Sequence, residues 1–187
     1  MIFILGVLKS KHLKLNVLTP DDLPQIYKWE TEIETRPLWQ DSVSLPSSLT
    51  FSSDFSKKLE SFYHSYFIIS NIDDNAPIGC VYSYGYNRTD GFMHISVFID
   101  RKYRKSFTGA EAGILFSKYL FSNFPIRKLY TVAFAYNMES VRILELAGFQ
   151  REGTLKKHKY YDGDYYDMYT YAIYREDIEK LEKYVKP

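Results

Sequence analysis

Two polar residues one helical turn apart stand at the start of a predicted helix near the end of the chain. Asn137 is a residue type that commonly caps helices, Gly148 is a common helix stop, and apolar residues recur between them at helical spacing. Asn137 and Ser140 therefore share one side of the first turn, beside backbone N–H groups without partners in the helix. This arrangement could hold a polar ligand, but a plain helix cap with a solvated Ser140 would have the same pattern.

The elements that must position this turn follow from the same periodicities. Strand patterns cover residues 12–18, 66–70, 78–86, 92–99 and 128–136, and a hairpin around Asp162 and Gly163 adds two more strands. Helical patterns cover residues 19–29, 56–63, 109–122 and 175–184, and Thr108 with Glu111 predicts a capping box on the third of these helices. The Ser-, Thr- and Pro-rich residues 31–56 predict a loop with short helical turns. This order of elements favours a mixed α/β sheet covered by helices.

The composition limits the class of protein. A chain of 187 residues suits one domain over residues 1–187, and its 45% hydrophobic content is ordinary. The aromatic fraction of 18%, with 18 Tyr and 13 Phe, is high; most of these rings should pack, and some could line a site. The net charge of +1 argues against nucleic acid as a partner. We predict no metal site.

The cysteine content and the apolar start bear on location. A single cysteine, Cys80, excludes an intramolecular disulfide, fits a reducing compartment and is expected to be a small buried residue in a strand. Residues 1–8 are apolar but too few to span a bilayer and lack a basic region before them, so we predict neither a signal nor a membrane anchor. They are expected to form an extra edge strand or a disordered leader, and an exposed apolar leader would favour a homodimer. The simplest location is the cytoplasm.

The chain resembles the GNAT acetyltransferase superfamily, particularly its ribosomal-protein N-acetyltransferase branch, in the spacing of Asn137, Ser140, Arg142, Glu145, Gly148, Phe149, Glu152, Gly153, Gly163, Asp164, Asp167 and Tyr171. The resemblance implies an α+β-like fold with a central, mostly antiparallel, partly splayed sheet of about six to seven strands flanked by helices. It implies transfer of an acetyl group from acetyl-CoA to a primary amine, either a protein N-terminus or a small amine. The alternative is an inactive GNAT-fold module that binds acyl-CoA or serves a regulatory role.

The resemblance also implies where acetyl-CoA binds. The backbone of Val97 and Ile99 would pair with the pantetheine arm, and Asn137 would hold the arm from the other side. The pyrophosphate would bind the loop that leads into the third predicted helix, made of Arg104, Lys105, Ser106, Phe107, Thr108, Gly109 and Ala110. Phe107 stands where the family has a glycine. A positive φ there would be costly for phenylalanine, so the loop takes another path or binds the cofactor weakly.

Three catalytic roles need residues: a proton acceptor for the amine, stabilisation of an oxyanion and a proton donor for the thiolate. The resemblance assigns the thiolate donor to Ser140, with Tyr136 as the substitute. The acidic residue proposed as base in this branch falls at Lys159, which cannot serve as a carboxylate, so His94 or His158 is the candidate base. Water suffices if the acceptor is an α-amine. Residues 156–159 could contact acidic acceptors or phosphates, or form the solvated side of a strand, and residues 31–56 would form one wall of the acceptor pocket.

Overall fold

The computed structural model describes residues 7–39, 44–104, 107–181 and 185. Its strands are β1 (Val7–Lys9), β2 (Leu13–Val17), β3 (Tyr63–Asn71), β4 (Pro77–Asn87), β5 (Phe92–Ile99), β6 (Lys128–Phe134), β7 (Gln150–Tyr161) and β8 (Asp164–Tyr174). Its helices are α1 (Leu23–Thr31), α2 (Phe51–Ser61), α3 (Thr108–Asn123), α4 (Met138–Leu146) and α5 (Arg175–Leu181). Single 3₁₀ turns cover Pro20–Asp22, Arg36–Leu38 and Arg101–Tyr103.

The strands of the described ranges form one sheet in the order β1-β2-β3-β4-β5-β6-β8-β7. The predicted mixed, mostly antiparallel sheet is confirmed, with eight strands rather than six to seven because Val7–Lys9 adds an edge strand beside β2. The parallel pair β5 and β6 is in register over three residues, from Phe92 opposite Lys128 to His94 opposite Tyr130. Beyond His94 the two strands are no longer paired, which is the predicted splay.

Strand alternation divides the buried residues between the two faces of the sheet. We call one set the aliphatic core; it joins α3, α4 and α5 to strand residues such as Val81, Ile95 and Ile99. We call the other set the aromatic core; it joins α1 and α2 to strand residues such as Tyr63, Tyr82 and Phe98. Cys80 is fully buried in the aromatic core, as predicted.

Two local predictions need correction. Helix α2 begins at Phe51, five residues before the predicted start, because Phe51 and Phe55 supply the face that packs in the aromatic core. The capping box at Thr108 is wrong: Phe107 is the N-cap, and the Glu111 carboxylate accepts hydrogen bonds from the backbone N and ring Nδ1 of His12 instead.

Some sequence-based predictions fall outside the described ranges. The predicted final helix is present from Arg175 to Leu181, and residues 182–184 lie outside the described part. The apolar start lies outside it up to residue 6. Within the described ranges, no helix combines the length and apolar character needed to cross a membrane.

Candidate active site

A cleft of about 410 Å³ opens where β5 and β6 diverge. Its lining draws on both faces of the sheet, since Ile95 and Ile99 belong to the aliphatic core and Tyr82 and Phe98 to the aromatic core. The cleft therefore reaches from the helices α3 and α4 on one face to the aromatic rings beside α2 on the other. Two reactants could approach each other through it from opposite sides.

The unpaired end of β5 turns backbone groups toward this gap. The N–H of Asp100 donates to the carbonyl of Ile78 on β4 at 2.8 Å, and the carbonyl of Phe98 also points toward β4, at Gly79. Because successive residues of a strand direct their backbone groups to opposite sides, Val97 and Ile99 present theirs to the gap. Both predicted pantetheine-pairing residues therefore line the cleft with backbone groups that β4 does not use.

The first turns of α3 border the same gap with two glycines. A Cβ at Gly109 would lie 3.8 Å from Ile99 Cγ1 and 3.9 Å from Ile143 Cγ2, and a Cβ at Gly113 would lie 3.6 Å from Val97 Cγ2. Neither position carries a positive φ, so these glycines are not needed for the backbone path. They keep the space between the helix and β5 open for a chain-like ligand.

Arg104 lies between this helix and β5. Its Nε donates a hydrogen bond of 2.9 Å to the carbonyl oxygen of Ile99, and its guanidinium carbon is 6.0 Å from the centre of the Phe98 ring. Arg104, Gly109 and Ala110 line the cleft, whereas Thr108 lies at the first helical position beside it. Lys105 and Ser106 lie outside the described residues.

The conformational penalty expected at Phe107 does not arise. Its φ is −129°, in an ordinary region for phenylalanine, and its partly buried side chain packs against the aliphatic core. The loop therefore takes another path than one that requires glycine at this position. A glycine at position 107 would remove packing without relieving backbone strain.

Asn137 and Ser140 both line the cleft from the start of α4. The Asn137 Oδ1 accepts a hydrogen bond of 3.3 Å from the Ser140 backbone N–H, which confirms the predicted cap. The same amide donates through Nδ2 to the carbonyl of Leu38 at 3.3 Å, so Asn137 also holds the 3₁₀ turn Arg36–Leu38. No hydrogen bond of the Ser140 hydroxyl is found among the described residues.

Tyr136 does not line the cleft. Its hydroxyl donates to the carbonyl of Pro37 at 2.6 Å, and its ring stacks on Tyr161 with the centroids 4.3 Å apart. Tyr136 and Asn137 thus contact two successive carbonyls of the same turn. Tyr136, predicted as the substitute proton donor, therefore holds the loop after α1 through this hydrogen bond to Pro37.

His94 marks the end of the β5–β6 pairing. Its ring is stacked between Tyr84 and Tyr130, with centroids 5.3 and 5.5 Å away, and burial lowers its pKa below the ordinary 6.5. Tyr84 lines the cleft, whereas His94 itself does not. His94 is therefore separated from the cleft by the ring of Tyr84. Its lowered pKa keeps the imidazole neutral at pH 7.

Lys159 is buried rather than solvated, with 9% of its surface exposed and its Nζ 4.8 Å from the centre of the Phe134 ring. The cause is a bulge in β7, where residues 156–158 have no register partner and Lys157 adopts a φ of +47°. Asp167 stabilises the bulge by accepting hydrogen bonds from the Lys156 Nζ at 2.8 Å and the Lys157 N–H at 2.9 Å. The expectation that residues 156–159 form one solvated face is wrong for Lys159. His158 is exposed and does not line the cleft.

The opposite wall of the cleft is aromatic, and apart from Trp39, which lies in the predicted wall segment 31–56, its residues were not predicted. It is formed by Trp39, Phe62, Tyr63, Tyr82, Tyr84 and Phe98, with Lys58 beside them. The high aromatic content was the available signal, but no spacing showed which rings would converge. Burial raises the pKa of Tyr63 and of Tyr82, so both hydroxyls stay protonated near neutral pH. Glu139, next to Ser140, is the carboxylate found among the described lining residues.

Comparisons with known proteins agree with this architecture. The acetyltransferase (GNAT) domain family matches residues 15–170. The SPbeta prophage-derived uncharacterized N-acetyltransferase YokL of Bacillus subtilis (strain 168) is 24% identical over 171 residues, which cover 91% of this chain and 94% of that protein.

Two solved structures show the same fold. Spermidine N-acetyltransferase from Vibrio cholerae, in complex with CoA and spermine, superposes with a TM-score of 0.81 at 18% identity, covering 89% of this chain and 98% of that one. Ribosomal-protein-S5-alanine acetyltransferase from Vibrio fischeri superposes with a TM-score of 0.72 at 17% identity, covering 91% and 97%. Since the family match spans most of the sequence, the resemblance noted from the motif spacing is confirmed, and the chain belongs to the acetyltransferase (GNAT) domain family, whose co-substrate is acetyl-CoA.

Proposed function

We propose that this acetyltransferase moves the acetyl group of acetyl-CoA to a primary amine, either a protein N-terminus or a small amine. One observation carries the proposal: the edge of β5 at Val97 and Ile99, where β6 no longer pairs with it, lines one cleft together with Asn137 and Ser140 at the start of α4. Relatives with this fold act, by their names, on spermidine and on the alanine of a ribosomal protein, which supports an amine acceptor.

In this proposal the pantetheine arm occupies the gap between β5 and β6. Its amides pair with the backbone of Val97 and Ile99 as an added strand would, and Asn137 closes the other side. Gly109 and Gly113 leave room for the arm against α3. The pyrophosphate then lies at the start of α3, where the N–H groups of the first turn have no carbonyl partner within the helix and Arg104 supplies positive charge.

The reaction requires a neutral amine and a protonated leaving group. The amine nitrogen attacks the thioester carbonyl carbon, the C–S bond breaks, and the CoA sulfur leaves as a thiolate. Ser140 donates its hydroxyl proton to that sulfur and recovers a proton from solvent, while the amine proton passes to water or to a base. The products are an amide and free CoA thiol. Tyr136 then acts as a positioning residue, because its hydroxyl holds the turn Arg36–Leu38 next to the cleft.

Two groups are suited to accept the amine proton. His94 is neutral at pH 7 and contacts the lining residue Tyr84, so it would act through that ring's hydroxyl or a water. Glu139 lines the cleft directly beside Ser140. An α-amine, with a pKa of about 8, needs less help than a lysine amine, with a pKa of about 10.4, because a larger fraction is already neutral.

A second candidate function is an inactive module that binds acyl-CoA. The observation that favours it is the hydrogen bond from Arg104 to the Ile99 carbonyl, which occupies an acceptor that the pantetheine arm would use. Lys159 also favours the inactive module, because it stands where the branch has its proposed acidic residue. Cofactor binding must then displace Arg104 or proceed without this carbonyl.

The test measures free thiol released from acetyl-CoA with a panel of amines and N-terminal peptides, using Ser140→Ala as the matched variant. Amine-dependent thiol release that falls in Ser140→Ala supports the enzyme. Tight acetyl-CoA binding without thiol release above the no-enzyme rate for any amine would overturn it in favour of the binding module.

A further inference from the structure

The acceptor side of the cleft carries aromatic rings and a lysine. Trp39 packs against Phe98 with ring centroids 4.4 Å apart, and Phe62 stacks on Tyr84 at 5.1 Å with the planes 15° apart. Phe62 is 47% exposed, so this stacked pair is open to solvent at the mouth. The indole Nε1 of Trp39 is buried and has no hydrogen-bond partner within the described ranges, which leaves a donor at a lining residue.

The charge on the α2 side of the cleft is positive, whereas the lining carboxylate Glu139 lies on the α4 side beside Ser140. Lys58 of α2 lines the cleft and forms no ion pair within the described part of the chain, whereas its neighbour Lys57 lies 3.6 Å from Asp54. Of the acidic residues at the end of α1 and after it, Glu30 pairs with the buried Arg36 at 3.2 Å, and Glu34 pairs with Arg101 at 2.6 Å. Glu32 accepts a hydrogen bond of 2.7 Å from the Thr35 hydroxyl. None of these carboxylates lines the cleft.

Resting on the proposed function, we infer that the acceptor is a primary amine that carries an aromatic ring and a carboxylate, as aromatic amino acids do. The ring stacks among Phe62, Tyr84 and Trp39, the carboxylate pairs with Lys58, and the amine reaches toward Ser140. A polyamine fits this wall poorly, because its remaining ammonium groups would face Lys58, while Glu139 lies on the α4 side of the cleft, where the reacting amine is placed. Aromatic faces alone attract a cation only weakly at a site exposed to solvent.

The first experiment compares kcat/KM for thiol release with L-phenylalanine, phenethylamine, L-alanine and spermidine. Phenylalanine should exceed phenethylamine by about fivefold, the size of an exposed ion pair. It should exceed alanine by about tenfold or more, because alanine leaves the rings unfilled. Spermidine or phenethylamine as the preferred acceptor would overturn this inference while leaving the acetyltransferase proposal intact.

Substitutions of the adjacent residues Lys58 and Lys57 test whether the positive charge of Lys58 binds the carboxylate of the acceptor. Lys58→Glu should reduce kcat/KM for phenylalanine about tenfold and leave phenethylamine within about twofold, so that the advantage of the carboxylate disappears. Lys57→Glu is the matched control, since it makes the same charge change one residue away and does not line the cleft; it should preserve the preference. Equal effects of the two substitutions would show a general charge effect and overturn the role of Lys58.

A binding experiment separates this inference from turnover. Calorimetry in the presence of CoA compares N-acetyl-L-phenylalanine, N-acetylphenethylamine and N-acetylspermidine, the amides that the reaction would form. Preferential binding of N-acetyl-L-phenylalanine that is lost in Lys58→Glu supports the inference even if no amine is acetylated, in which case the proposed function alone fails. Equal binding of the three amides, or binding of none, would overturn the inference.

Discussion

The side-chain amide of Asn137 joins the start of α4 to Leu38 by a 3.3 Å hydrogen bond from Nδ2 to the Leu38 carbonyl, while its Oδ1 caps the helix at Ser140. One residue therefore fixes both the turn that carries Ser140 and the loop that carries Trp39. Asn137 therefore stabilises both the proposed cofactor site and the loop whose Trp39 lines the proposed acceptor side of the cleft.

Substitutions of Asn137 should separate these two roles. Serine caps a helix as well as asparagine does but is too short to reach Leu38, so Asn137→Ser should keep most of the stability and raise the acceptor KM. Asn137→Ala removes the cap as well and should cost about 1 kcal/mol more. Urea unfolding and steady-state kinetics measure both effects. Equal stability of the two variants would show that the cap contributes little.

Replacing Ser140 by alanine should lower kcat about 10² to 10⁴-fold and leave acetyl-CoA affinity nearly unchanged, because a thiolate-protonating group acts mainly in the transition state. Tyr136→Phe is the contrasting variant. It loses the bond to Pro37 and should raise the acceptor KM while keeping kcat. If Tyr136→Phe abolishes kcat and Ser140→Ala does not, the two roles are reversed.

Acetyl-CoA should stabilise the folded protein. A ligand at about 100 times its Kd adds roughly 2.7 kcal/mol to the free energy of unfolding. In a domain of this size, each kcal/mol moves Tm by about 2 to 4 °C. ATP at the same concentration is the control, since it offers phosphates without a pantetheine arm. An equal shift with ATP would argue against the pairing proposed for Val97 and Ile99.

At Gly109, alanine should leave the fold intact, whereas the larger valine should obstruct the cofactor. Its Cβ position has ordinary contact distances and its φ is not positive, so Gly109→Ala should keep or raise stability by up to about 1 kcal/mol, as expected for alanine in a helix. Gly109→Val adds methyl groups between Ile99 and Ile143 and should weaken acetyl-CoA binding about tenfold or more. Calorimetry with acetyl-CoA measures the change, and unchanged affinity in the valine variant would place the arm elsewhere.

The low pKa of His94 makes stability depend on pH in a defined direction. Burial disfavours its protonated form, so the unfolded chain binds this proton more readily, and stability falls as the pH drops below about 6.5. His94→Phe keeps the stacking and should flatten this part of the profile. NMR titration of the ring, assigned by its loss in the variant, checks the cause. A His94 pKa at or above 6.5 would contradict it.

Local chemistry explains which parts of the site could be predicted from the sequence. Asn137 caps α4 and Gly148 ends it with a φ of +81°, because both choices depend on neighbouring residues alone. The bond from Tyr136 to Pro37 joins residues 99 positions apart and depends on how the loop after α1 packs. The burial of Lys159 could not be predicted from the sequence either, because it results from the bulge in β7 that Asp167 stabilises from β8.

The contacts among the aromatic rings could not be predicted from residue spacing either, because they too join distant parts of the chain. Trp39 comes from the loop after α1, Phe62 from the end of α2, and Phe98 from β5, so their contacts depend on the order of strands in the sheet. The splay itself was expected from the family resemblance and not from any residue of β5 or β6.

Open strand edges are where proteins aggregate, because unpaired backbone groups accept strands from other molecules. The unpaired end of β5 is such an edge, but it lies inside the sheet, with α3 and α4 on one face and β6 diverging beside it. A peptide strand would need about 4.8 Å of lateral spacing and room for side chains on both faces. A pantetheine arm carries amides with only small substituents. Since β5 stands between β4 and β6 in the strand order, its unpaired end lies within the sheet rather than at the rim, where a strand of another molecule could pair with it.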